Sequence, residues 1–123
     1  MIELEMPYLA NLSVNRCHFM FHGRPQMRSD VRHWMSALQW EIEVAGALGY
    51  ARGDRLRVGI EVIAPAGPGR LPDTENFRKP IHDAVAAALW RDDQRFVPWE
   101  EQSPPARRGE GQGAIIVRVE VVT

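Results

Sequence analysis

Two stretches of the chain alternate apolar and polar side chains with a period of two, and two others repeat apolar residues every three or four positions. Ile2-Glu3-Leu4-Glu5-Met6 alternates as a half-buried strand does, and Pro7 is expected to end it. Arg55–Ile63, RLRVGIEVI, sends Leu56, Val58, Ile60 and Val62 one way and Arg57, Gly59 and Glu61 the other, which predicts a central strand. Val31, Trp34, Met35, Leu38, Ile42, Ala45 and Leu48 follow helical spacing, with Ser29 or Asp30 as the expected cap and Gly49 as the stop. Trp34 and Trp40 are expected to pack, and Arg32, His33, Gln39, Glu43 and Gly46 to form the wet face. A second helix is predicted from Phe77, Ile81, Ala84, Val85 and Ala88.

The remaining segments are connections and closing strands. Tyr8 to Gln26 loses periodicity and reads as a loop or ragged hairpin with polar side chains available. Ala64–Pro72, APAGPGRLP, holds three prolines and two glycines and breaks the chain before an acidic cluster. Arg95–Glu101 is a short strand candidate weakened by Pro98, Ser103–Gly113 reads as a long mobile loop, and Ala114–Val122, AIIVRVEVV, is the closing strand of a hairpin with Arg95–Glu101. The interleaved order predicts one domain, 1–123, of mixed α/β (α+β) class. Its expected form is a small mixed sheet of about four strands with two main helices packed on it.

Composition narrows the function classes. The 123 residues suffice for a self-sufficient core, and the single cysteine, Cys17, excludes an internal disulfide and a four-cysteine zinc site. A reducing, cytoplasmic setting follows as the expectation, since MIELEMPYL has acids where a signal peptide has bases and no apolar run reaches membrane-spanning length. With net charge −1, DNA binding would require clustered basic residues. Arg16, Arg24, Arg28, Arg70, Arg78, Arg91, Arg107 and Arg108 are the candidates.

The stretch Leu71–Asp93, LPDTENFRKPIHDAVAAALWRDD, concentrates the candidate chemistry. Asp73 and Glu75 stand two apart, followed by Asn76, by Lys79 (the chain's only lysine) and by a second acidic pair, Asp92-Asp93. Pro80 is tolerated only near a helix start, which points to Asn76 as N-cap and leaves Asp73 and Glu75 on an extended lead-in, their carboxylates on one side. Gathered carboxylates require a compensating cation: Mg²⁺ or Mn²⁺, or the neighbouring Lys79, Arg78 and Arg91. The alternative is two acids favoured by a helix N-terminus and an Asp83 paired with Lys79 four residues earlier. Spacing alone leaves both readings open. His18, His22 and the adjacent Cys17 lack chelating spacing, and His82 has no evident chemical role.

The string D-x-E-N-x-x-K-P-x-x-D-A from Asp73 to Ala84, followed by Asp92-Asp93, resembles the signature of the RusA family of Holliday junction resolvases, D-x-D-N-x-x-K-x-x-x-D-A and then D-D. The likeness extends to an N-terminal strand ending in proline, the pair Asn15-Arg16, a long helix, a strand and a closing hairpin. This resemblance implies a RusA-like fold and a homodimer that nicks opposed strands of four-way or branched DNA with Mg²⁺ or Mn²⁺. It implies Asp73, Glu75 and Asp93 as metal ligands and catalytic acids, with Lys79 as the catalytic lysine. Asn15, Arg16, Arg70, Arg78 and Lys79 are the DNA-binding candidates.

The sequence departs from the pattern in three places. Glu75 stands where the family has aspartate, the loop before the signature offers only Arg70, and the span from Asp83 to Asp92 is short, so Asp92 competes with Asp93 as ligand. A branched-DNA binding protein that keeps the fold with weakened cleavage is therefore an alternative, and a small α/β protein without a DNA role is a third.

Overall fold

The computed structural model describes residues 1–45, 55–89 and 103–122. Strand β1 (Ile2–Pro7) leads through a short 3-10 turn, Ala10–Leu12, to a hairpin of β2 (His18–Phe21) and β3 (Arg24–Met27). Helix α1 (Ser29–Val44), strand β4 (Arg55–Ala64), a 3-10 turn over Thr74–Phe77 and helix α2 (Arg78–Leu89) follow, and two strands, β5 (Arg107–Arg108) and β6 (Ala114–Val122), end the described chain. The order β1-β6-β4-β5 forms a mixed sheet, antiparallel at β1–β6 and β6–β4 and parallel at β4–β5; β2–β3 is a separate two-stranded ribbon. The expected mixed α+β class, with two main helices on a four-stranded sheet, is the observed one. No described helix is long and apolar enough to cross a membrane.

Register explains the core. Ile2, Leu4 and Met6 stand opposite Val119, Val117 and Ile115, which in turn stand opposite Val58, Ile60 and Val62. Directly opposed residues share a face, so these side chains make one apolar surface. Val31, Trp34, Leu38 and Ile42 of α1 cover it together with Phe77, Ile81, Ala84, Val85 and Ala88, all buried in one cluster. Trp34 also ties α1 to β1, donating from Nε1 to the Pro7 carbonyl at 2.7 Å. The other face of the sheet carries charge: Arg118 reaches Glu3 at 2.7 Å and Glu61 at 3.3 Å, and Arg57 reaches Glu120 at 3.1 Å. Exposed pairs of this kind stabilise by about 1 kcal/mol or less. Their main effect is to keep the open face polar.

Several expectations are corrected. Trp40 is 64% exposed, because it lies off the stripe set by Val31, Trp34, Leu38 and Ile42. The N-cap of α1 is Arg28, without a side-chain cap bond; Ser29 is already helical, and Asp30 accepts from the Val31 amide and from Asn11 Nδ2 within the first turn. Leu48, Gly49 and the strand candidate Arg95–Glu101 lie outside the described residues. Over Ala114–Val119 both edges of β6 are occupied, by β1 and by β4.

Ser103–Gly113 differs most from its expected form as a long loop. The Ile60 amide donates to Ser103 Oγ, Arg107–Arg108 pairs with Ile63–Ala64, the Gly109 amide donates to Ala64 O, and the Ala66 amide donates to Gly111 O. The segment is a strap along the edge of β4. Gly113 closes it at φ +80°, where an added Cβ would stand 2.5 Å from the Ile63 carbonyl oxygen and 2.8 Å from the Pro65 nitrogen.

Two stability predictions follow from these contacts. Gly113→Ala combines a left-handed backbone with a backbone clash, and is expected to destabilise by at least about 2 kcal/mol in chemical denaturation; an unchanged midpoint would refute the close approach. Trp34→Phe keeps an aromatic side chain but loses the bond to Pro7 O and part of the indole's volume, so a loss of at least about 1 kcal/mol is expected in the same assay.

Candidate functional site

The signature begins with a turn, not with the expected extended lead-in. Asp73 is the N-cap (φ −84°, ψ 121°), its Oδ1 accepts the Glu75 amide at 3.1 Å, and its carbonyl accepts the Asn76 amide at 3.0 Å. The cap is thus Asp73, where Asn76 was expected. An aspartate suits the role because a short carboxylate reaches the amide two residues on. The consequence for the candidate acids is direct. Glu75 belongs to a 3-10 turn in which residues two apart no longer share a side, so Asp73 and Glu75 are both exposed without the convergence that an extended strand would impose.

The first and last members of the turn hold it in place. Thr74 is buried and donates from Oγ1 to the carbonyl of Pro104 in the strap at 2.9 Å. Phe77 is buried against the core, and its ring meets Tyr8 at 6.1 Å. Between these anchors Asn76 offers its carbonyl to the Val14 amide at 2.8 Å. That single backbone bond fastens the Asn15-Arg16 loop beside the signature. On the far side of the turn, Arg108 donates to Pro65 O and Gly69 O, both at 2.9 Å, and so clamps the loop that carries Arg70. Arg108, one of the arginines named for a DNA face, thus holds the loop, and Arg107 pairs with Glu61 at 3.2 Å.

The result is a cleft of about 620 Å³ whose lining includes Tyr8, Asn15, Arg16, Arg70, Asp73 and Asn76. Of the DNA-binding and catalytic candidates, Asn15, Arg16, Arg70 and Asp73 come together there. Glu75, Arg78 and Lys79 are exposed on the turn and the first turn of α2 and do not line it. Lys79 pairs with Asp83 at 3.0 Å, as the four-residue spacing suggests. Asp92 and Asp93 lie outside the described residues, as does Arg91. Among the described residues no three His, Cys, Asp or Glu side chains gather as a metal-binding group.

Tyr8 is a cleft residue that sequence reading passed over, since nothing in its spacing sets it apart. Burial pushes its phenol above the ordinary value, against the opposite pull of Arg16 and Arg108. It therefore faces the cleft as a neutral hydroxyl at neutral pH. Burial likewise raises the Cys17 thiol, whose Sγ lies 3.0 Å from His18 Nδ1. A buried, protonated thiol is a poor nucleophile, so this pair is structural. His82 is buried on α2.

The cleft can accommodate an anionic chain: two guanidiniums, two amides and a phenol supply donors, and one carboxylate supplies an acceptor or a cation ligand. No family model matches the chain, and no curated protein matches it.

Proposed function

We propose that the chain is a metal-dependent, structure-selective endodeoxyribonuclease that nicks four-way or related branched DNA as a homodimer, as its resemblance to the RusA family implies. The observation that carries this reading is the shared cleft of Asp73 with Asn15, Arg16 and Arg70. Phosphodiester hydrolysis calls for a hard cation where the nucleophile forms and for positive charge around the phosphate. Arg16 and Arg70 offer planar forks that match phosphate oxygens, and Asn15 and Tyr8 add neutral donors that orient the backbone.

Asp73 engages one carboxylate oxygen in its cap, which leaves Oδ2 as a hard donor for Mg²⁺ or Mn²⁺, while Glu75, exposed on the same turn, lies off the cleft and would have to turn toward it to serve as a second donor. Such ions are held by few carboxylates and keep several waters. Asp93, or Asp92 in its place, would be the third donor that the resemblance implies. When bound, the ion supplies Lewis-acid polarisation of the phosphate and lowers the cost of deprotonating water. Asp83 restrains the Lys79 ammonium, which in this reading offsets charge developing on the phosphate.

A second reading is favoured by Glu75, which is longer than the family's aspartate and lies off the cleft: a branched-DNA binding protein with weakened cleavage. Glu75→Asp separates the two, since a gain of nicking from an inactive parent identifies a degenerate nuclease.

Asparagine caps a turn about as well as aspartate, so Asp73→Asn leaves the fold in place while removing the charge. Wild-type protein is expected to nick a synthetic four-way junction with Mg²⁺ or Mn²⁺, and Asp73→Asn to bind the junction without cutting it. Junctions left intact by the wild type in both metals overturn the catalytic reading. Arg16→Ala is expected to weaken junction binding and to reduce the slope of log affinity against log salt by about one. A slope identical to that of the wild type removes Arg16 from the phosphate contacts.

A further inference from the structure

The β2–β3 ribbon pairs with no other described strand, yet it holds three of the chain's exposed large apolar residues, Phe19, Met20 and Phe21. Its turn is tight. His22 (φ 50°) and Gly23 (φ 75°) are the two linking residues, which is the geometry that matches the twist of a two-residue hairpin. Register then sorts the side chains. Phe19 stands opposite Gln26 and Phe21 opposite Arg24, so these four share one face, while His18, Met20, Pro25 and the half-buried Met27 share the other. On the second face Met27 packs against the core while Met20 is 67% exposed. The aromatic pair lies on the first face: the Phe19 and Phe21 rings are 41% and 55% exposed, with centroids 6.4 Å apart.

Three observations say what this face suits. The chain from Met6 to Ser29 contains no acidic residue and includes Arg16, Arg24 and Arg28, in a protein of net charge −1. The Arg28 guanidinium carbon lies 5.8 Å from the Phe19 ring centre, placing a cation beside the aromatic surface. Arg28 also joins the face to the cleft, for its Nε donates to the Arg16 carbonyl at 2.7 Å and its amide to the Cys17 carbonyl at 2.9 Å. An apolar partner would gain nothing from this charge, whereas a polyanion carrying flat rings complements both features.

We propose that the face formed by Phe19, Phe21, Arg24 and Gln26 is a stacking platform for unpaired nucleotides of a DNA strand that leaves the cleft past Arg16. Phe19 and Phe21 meet base faces, Arg24 and Arg28 meet the backbone, and Gln26 hydrogen-bonds a base edge. The inference rests on the proposed DNA-directed function and narrows its substrate: branched DNA with unstacked bases at the branch point is preferred over continuous duplex.

The test measures fluorescence anisotropy of labelled four-way junction, continuous duplex and oligothymidine of about twelve nucleotides, with the full chain as wild type, as Phe19→Ala/Phe21→Ala and as Phe21→Trp. The wild type is expected to bind oligothymidine, the double alanine variant to lose about tenfold in that affinity or more with duplex binding little changed, and Phe21→Trp to keep it. In Phe21→Trp, indole emission should fall as oligothymidine is added, a readout that does not depend on the alanine variant folding. Equal oligothymidine binding by wild type and the double alanine variant, or unchanged emission at saturation, overturns the platform and leaves the DNA-directed function standing. Junction binding by the wild type without oligothymidine binding does the same. Failure of the wild type to bind any of the three probes overturns both. A double alanine variant that sediments as monomer where the wild type is a dimer, with DNA affinity unchanged, assigns the face to a second copy of the chain and overturns the platform.

Discussion

The sheet depends on β6 standing between β1 and β4. It is the last described element of the chain, yet it pairs with the first strand on one edge and with β4 on the other, from Ala114 to Val122. Only its presence makes β1 and β4 parts of one sheet, and its Ile115, Val117 and Val119 complete the apolar surface that the helices cover. An interior strand must satisfy ladder bonds on both edges and bury one face. AIIVRVEVV meets both demands, with no proline in the ladder and with Arg118 and Glu120 turned to the open face, where Glu3, Glu61 and Arg57 receive them.

From that sheet the candidate site is assembled by a few polar bonds between segments that are distant in sequence. The strap from Ser103 to Gly113 runs along β4 and presents the Pro104 carbonyl to Thr74 and the Arg108 fork to the loop before Asp73. The Asn76 carbonyl holds Val14, and with it Asn15 and Arg16. Three loops that would otherwise sample many conformations thus meet at one cleft. Because Thr74 and Phe77 point inward, the turn can expose Asp73 and Glu75 without losing its position. Support from buried neighbours is what a site on loops requires in order to hold a productive geometry.

Charge distribution follows the same division of labour. The open face of the sheet pairs its acids and bases against one another and presents little net field. Arg16, Arg24 and Arg28, by contrast, stand in a segment with no acid, beside the cleft and the ribbon. A chain of net charge −1 can therefore carry a locally basic surface, and total charge alone is a poor guide to its partners.

The periodic elements were legible in the sequence because a strand or helix writes its burial into its spacing. Val31, Trp34, Leu38 and Ile42, the alternation of β4, and the face Phe77-Ile81-Ala84-Val85-Ala88 needed no knowledge of their partners, and Lys79–Asp83 follows from helix geometry. The misjudged features are those that depend on a contact elsewhere. Trp40 has the chemistry of a core residue but stands off its helix's stripe. Asp73 caps its turn in place of Asn76 because Thr74 and Phe77 are drawn inward by Pro104 and the core. Ser103–Gly113, rich in glycine and proline, takes its order from the edge of β4. Composition and spacing thus specified which residue types the acidic stretch offers and which segments are helix or strand. Packing settled which of them meet: Asn15, Arg16, Arg70 and Asp73 share a cleft because backbone bonds between loops far apart in sequence bring them there, and bonds of that kind leave no periodic trace in a chain.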